Sequence, residues 1–243
     1  MTILYFYEKI VPLNSELHRE LRISPVSDGY AFAARTNVVP LMGVEFMEAA
    51  REYPIVFSRI GEDFMPIALV GLRNSENLLV DTEGKWDARY VPAFARRYPF
   101  VFDQSEPNGP LTVCIDESYS GFNDEEGVPL FDENGGQSAR LTEVVSFLND
   151  FHAQALQTAR FAKRLAELDL LVESTANVNL DNKQNLKLAG IYAIDEAKLL
   201  KLDDDVVLEM FRSGELALIY SHLASLSNVQ RLTDRLAERV QAE

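Results

Sequence analysis

Two nonapeptides decide how this chain is read: AAREYPIVF at 49–57 and, forty-five residues on, FARRYPFVF at 94–102. In the first, Phe46, Ala49, Ala50 and Tyr53 recur at helical spacing. In the second, Tyr90, Phe94 and Tyr98 recur every four residues. Each helix must stop before its proline, because the residue preceding proline is pushed out of the α region. The apolar runs Ile55–Ser58 and Phe100–Asp103 then read as strands. Each copy is therefore helix, Tyr-Pro stop, strand. Two copies of a 45-residue unit are too few for a solenoid. They predict two similar corners of one sheet.

Working outward, Thr2–Tyr7, Tyr30–Val38, Met65–Leu72, Asn77–Asp81 and Leu111–Asp116 read as further strands, and Ser15–Leu21 as a short helix capped by Asn14 or Ser15. Ser118–Gln137 is glycine-rich. Asp116 to Glu133 holds seven acids and no Lys or Arg, which marks an acidic loop or hairpin over 116–137. Beyond it, an apolar 3–4 spacing from Leu141 to Leu165 predicts one long helix. Asn177–Leu180 and Leu186–Ile194 read as a hairpin turning at Asp181–Asn182, and Leu216 to Val240 carries a final apolar stripe. The fold class is α+β. A mixed or antiparallel sheet with short helices fills residues 1–137, and a helical part with one hairpin fills 138–243, the two forming one compact unit.

The 243 residues carry a net charge of −15, which repels phosphate backbones and argues against nucleic acid as a partner. No run approaches the roughly 18 apolar residues of a membrane span. The start, MTILYFYEKIVPLN, lacks a basic segment, a long apolar segment and a small-residue cleavage site. A cytoplasmic location follows, with export by a route lacking an N-terminal signal left open. Cys114, the only cysteine, sits in an apolar run and reads as a buried strand residue. His18, His152 and His222 show no metal-ligand spacing. Ser221, His222 and Ser225 resemble a hydrolase set only in composition, without a nucleophile elbow. The run Asp203–Asp205 lacks the alternation of a calcium loop. With no phosphate loop or dinucleotide fingerprint either, no cofactor and no metal are expected.

The stretch from Lys85 to Tyr98 stands out. Lys85, Arg89, Arg96 and Arg97 face only Asp87, and Trp86, Tyr90 and Tyr98 interleave them. Guanidinium groups among aromatic rings suit a carboxylate, a phosphate or a peptide terminus. These seven residues are the candidate ligand-binding set, with a protein or peptide as partner. The competing reading has Arg96 and Arg97 pairing internally with acids of the 116–133 loop. The Leu216–Val240 stripe has two readings as well: packing on the long helix, or a homodimer surface.

The combination of VPLN at 11–14 with His18, VPLMGVEFMEAAREYPIVF at 39–57, PIALVGL at 66–72, NLLVDTEGKWDARYVPAFARRYPFVF at 77–102, AGIYAIDEAKL at 189–199 and GELALIYSHLASL at 214–226 resembles the SapC family. The resemblance implies a bacterial protein of about this length, named after a surface-layer locus, and supplies no catalytic residue set. The peptide-transporter permease of the same name is a different protein, since a permease needs several spans. Three functions follow as expectations: a binding or accessory protein, an enzyme acting on a peptide whose residues meet only in three dimensions, or a surface-layer component that self-assembles.

Overall fold

The structure, a computed structural model, describes residues 5–103, 109–179 and 185–242. The first half holds β1 (Ile10–Pro12), β2 (Arg22–Ile23), β3 (Val38–Pro40), α1 (Phe46–Ala49), β4 (Ile55–Ile60), β5 (Asp63–Leu69), α2 (Ala93–Arg96), β6 (Phe100–Asp103), β7 (Thr112–Asp116), β8 (Phe122–Asn123) and β9 (Val128–Pro129). The second holds α3 (Ala139–Glu167), the hairpin β10 (Leu171–Asn179) and β11 (Asn185–Ile194), then α4 (Glu196–Leu199), α5 (Asp204–Ser213), α6 (Glu215–Ser225) and α7 (Val229–Ala242). The class is α+β, with antiparallel sheets in the first half and a long helical region toward the C-terminus.

The largest sheet has the order β10-β11-β4-β5-β3, so the late hairpin, starting at Leu171, joins a sheet begun at Val38. Its strands alternate faces. Ile55, Phe57 and Ala68 look into an aromatic core with Phe161, Ala162 and Leu165 of α3 and Ile219 of α6. Val56, Ile67 and Leu69 look the other way and are covered by Leu232 and Leu236 of α7. The final apolar stripe is thus divided: its first part packs in the core that α3 shares, and its last part closes the opposite face of the sheet.

Two small sheets, β1-β7-β6 and β8-β2-β9, complete the first half. A third core joins them to Leu141, Val144 and Leu148 at the start of α3. At 29 residues and about 43 Å, α3 reaches from that core to the main one. It begins where the Ser138 hydroxyl accepts the Leu141 N–H.

The two Tyr-Pro copies do not shape one sheet. The first feeds β4 of the five-stranded sheet and the second feeds β6 of a three-stranded one. Each keeps its short helix, proline stop and strand, and the second has a cis Tyr98–Pro99 bond. The helix preceding that bond is confined to Ala93–Arg96, so Tyr90 lies outside it.

Several local expectations are corrected. Residues 2–4 of the Thr2–Tyr7 segment lie outside the described residues, and Tyr5–Tyr7 is not a strand. Phe6 is instead a buried wedge against the rings of Phe32 and Phe94. The segment Ser15–Leu21 is a set of turns, because Asn14 Oδ1 takes the Glu16 and Leu17 N–H groups while Leu17 stays exposed, leaving no apolar face to bury. Within Tyr30–Val38, a 3₁₀ turn at Ala31–Ala33 precedes the strand, which starts only at Val38. The segment Asn77–Asp81 is a clamped loop. The buried Asn77 amide donates to the Ala33 carbonyl and its oxygen accepts the Leu79 N–H, so only Val80 makes a bridge, to Trp86. The predicted 181–182 turn lies outside the described residues.

Candidate functional site

The residues singled out between Lys85 and Tyr98 do not form one surface. Lys85 is exposed and tied to Glu83 at 2.6 Å. Arg96 is exposed, donates through Nε to the Val91 carbonyl, and lies over the Tyr90 and Phe147 rings. Arg97 is buried, its guanidinium 4.1 Å from the Phe94 ring centre and 4.8 Å from that of Phe151. Burial lowers its pKa from the ordinary arginine value, and contact with the Tyr7 hydroxyl opposes that shift. It is a core arginine, reached by rings rather than by a diffusing ligand.

Trp86, Arg89 and Tyr90 do come together, in a groove of about 610 Å³. One wall is the end of α1 and the turn after it, with Glu48, Arg51 and Glu52; the other is α7, with Arg231 and Arg235. The loop 86–90 forms the floor. Trp86 is held because its indole N–H donates to the Tyr53 hydroxyl at 3.0 Å, which in turn donates to the Tyr90 carbonyl. Tyr90 donates to Glu45 Oε1 at 2.7 Å, and the same oxygen accepts the Ala93 N–H. Burial first, and the Glu45 carboxylate second, push the Tyr90 pKa up, so its hydroxyl keeps its proton and its place.

Four arginines face three acids in this groove. Arg51 pairs with Glu48 at 3.1 Å, Arg231 with Glu52 at 3.2 Å, and Arg235 with Asp87 at 2.6 Å. Arg89 is exposed, and among the described residues no hydrogen bond or ion pair engages its guanidinium. The Arg51–Glu48 pair is exposed, and such pairs are worth about 0–1 kcal/mol, so a ligand carboxylate can compete for Arg51 at little cost. Arg231 and Arg235 are held more firmly, by a partly buried Glu52 and by the Arg51 and Asp87 carbonyls. The groove therefore presents one uncommitted guanidinium beside two aromatic side chains, with three more arginines within its walls.

Sequence reasoning missed Arg51, Arg231 and Arg235. The repeat did hold a signal for the first: Arg51 occupies in AAREYPIVF the position that Arg96 occupies in FARRYPFVF, and both are exposed. The two on α7 read as solvated helix charges, since only the tertiary fold brings that helix beside the 86–90 loop.

The histidine and serine candidates have structural work. His222 is fully buried beneath the point where β11 leaves β4. Its Nε2 accepts the Ile194 N–H at 3.0 Å, and its Nδ1, 2.8 Å from the Ile55 carbonyl, carries the proton. The Ser225 hydroxyl accepts the Ile55 N–H at 2.9 Å and donates to the His222 carbonyl. Two side chains of α6 thus satisfy backbone groups that the ladder leaves open. His18 sits apart, 3.7 Å from Glu117. Cys114 is buried and its thiol pKa is raised by that burial.

An antiparallel sheet closed on both faces by C-terminal helices, with an arginine-lined groove where the last helix meets the loop before the second Tyr-Pro corner, defines a mixed α+β protein with a built surface cleft. The chain belongs to the SapC family: that family's model matches residues 13–232. No curated protein and no solved structure matches the chain. Among the described residues no helix is long and apolar enough to cross a membrane.

Proposed function

We propose that this SapC-family chain is a binding protein whose groove takes a carboxylate-bearing segment of a peptide or partner protein. The observation that carries the reading is Arg89: an exposed guanidinium with no acidic partner among the described residues, beside Trp86 and Tyr90, in a chain of net charge −15. Arginine offers a planar fork that matches a carboxylate with two parallel hydrogen bonds. Trp86 and Tyr90 supply an apolar floor for the residue that carries it. Arg51 adds a further donor by exchanging its Glu48 partner, and Arg231 and Arg235 add positive charge to the wall.

The test is titration calorimetry with a short N-acetylated peptide ending in a free carboxylate, and with the same peptide ending in an amide. The carboxylate form is expected to bind more tightly, and Arg89→Ala to weaken it about tenfold or more, the loss of one charge-assisted contact. Arg89 holds no other part of the fold, so the variant should unfold at the wild-type temperature. Equal affinity for acid and amide, or an Arg89→Ala variant that binds as wild type does, would sink the reading.

A further inference from the structure

A second concavity, of about 190 Å³, lies on the other side of the residues that the sequence groups with the basic patch. Its walls are the half-buried rings of Phe32, Tyr98 and Tyr119. Phe32 and Tyr98 stack at 3.9 Å with 23° between their planes, and Tyr119 meets Tyr98 edge-on at 5.7 Å. Glu8 and Asp28 are the charged residues of the lining, both exposed, and no Lys or Arg joins them. Among the described residues neither carboxylate has an ion-pair or hydrogen-bond partner. Tyr98, the last of the seven patch residues along the chain, therefore belongs to a cavity of opposite charge from the groove.

The cavity is built rather than incidental. The buried Asp116 carboxylate behind it accepts the Glu8 and Lys9 N–H groups at 2.8 and 3.0 Å and the Ser118 hydroxyl at 2.7 Å, which fixes both segments that supply Glu8 and Tyr119. The Tyr119 hydroxyl donates to the Ser24 carbonyl at 3.2 Å. Burial, and after it the Asp116 charge, raise the Tyr98 pKa to about 12, so the ring is neutral and its face keeps its negative quadrupole.

We infer that this cavity binds an organic ammonium group, either a free alkylamine or a lysine side chain. A void of about 150 Å³ holds a benzene-sized molecule, so this one takes a single short alkyl chain. Its aromatic walls attract an ammonium charge and pack the alkyl chain that carries it, and the two carboxylates of the lining complete the charge. A hydrated divalent ion fits poorly against three rings, and no cluster of three His, Cys, Asp or Glu that could hold a metal occurs among the described residues. The inference is independent of the ligand proposed for the arginine groove.

The experiment uses the full chain with ¹³C-labelled tyrosine and follows the Tyr98 and Tyr119 ring signals by NMR. The probes are pentylammonium chloride, its neutral counterpart pentan-1-ol, N-acetyl-lysinamide and N-acetyl-norleucinamide. Saturable shifts are expected with the two ammonium compounds, about tenfold weaker binding of the neutral ones, and about tenfold weaker ammonium binding by the Glu8→Gln/Asp28→Asn double variant. Binding of pentylammonium alone assigns the site to a free amine; binding of both assigns it to the ammonium of a side chain as well. Because both carboxylates are exposed and unpartnered, the double variant should melt with the wild type. The inference is overturned if neither ammonium compound gives a saturable shift, if the neutral probes bind equally well, or if the double variant binds unchanged.

Discussion

At the scale of single residues, His222 shows how a buried group can serve the backbone and still leave a signature in solution. Burial lowers its pKa to about 4, although its contact with the Ile55 carbonyl pulls the other way. In the unfolded chain a histidine takes its proton near pH 6.5. Between these values the unfolded state binds the extra proton and the native state does not. Stability is therefore fully present above about pH 6.5 and is lost as pH falls toward 4, by about 3 kcal/mol from this residue. Urea titrations at successive pH values should record that decline. Asp116 acts in a different window. Burial raises its pKa, but the hydrogen bonds from Ser118, Glu8 and Lys9 outweigh burial and hold it below the ordinary carboxylate value. Its contribution is lost only below about pH 4, as the native carboxylate is protonated.

At the scale of elements, two substitutions separate helix initiation from loop packing. Ser138→Ala removes the hydroxyl that accepts the Leu141 N–H at the head of α3, and should cost about 1 kcal/mol in urea unfolding without altering either concavity. Gly84→Ala should cost more, about 2 kcal/mol or above. Gly84 has φ of 76°, and an added Cβ would stand 2.7 Å from the Asp28 carbonyl oxygen, a backbone atom that cannot swing aside. Circular dichroism should show the helices intact in both variants. The elements most legible in the sequence were those with a strong period or a hard stop. The apolar spacing of α3, the prolines after Tyr53 and Tyr98, and the β-branched run of β4 each specify their structure locally. Tyr30–Val38 and Asn77–Asp81 were misread because a buried Asn77 amide and a 3₁₀ turn satisfy the backbone there, and neither leaves a periodic trace. Of the groove, Trp86, Arg89 and Tyr90 were legible as neighbours in sequence. Arg231 and Arg235 were not, since their position depends on α7 crossing to the far face of the sheet.

At the scale of the whole molecule, α7 has two tasks. Leu232 and Leu236 seal Val56, Ile67 and Leu69, and Arg231 and Arg235 wall the groove. Deleting residues 229–243 should expose that sheet face, give strong binding of an apolar dye and lower the cooperativity of unfolding. Retention of a sharp wild-type transition would show that the face is closed by something else. The two concavities are joined through the same interior. Trp86 meets Tyr30 at 5.6 Å, Tyr30 meets Phe32 at 6.0 Å, and Phe32 stacks on Tyr98. Trp86 is also the chain's only tryptophan. The molecule thus carries its own lamp, set in the floor of one cleft and wired by rings to the wall of the other. Light absorbed by the neighbouring tyrosines drains to that single indole. Its emission should shift when the carboxylate ligand proposed for the groove binds, a change that fluorescence titration reads without any label.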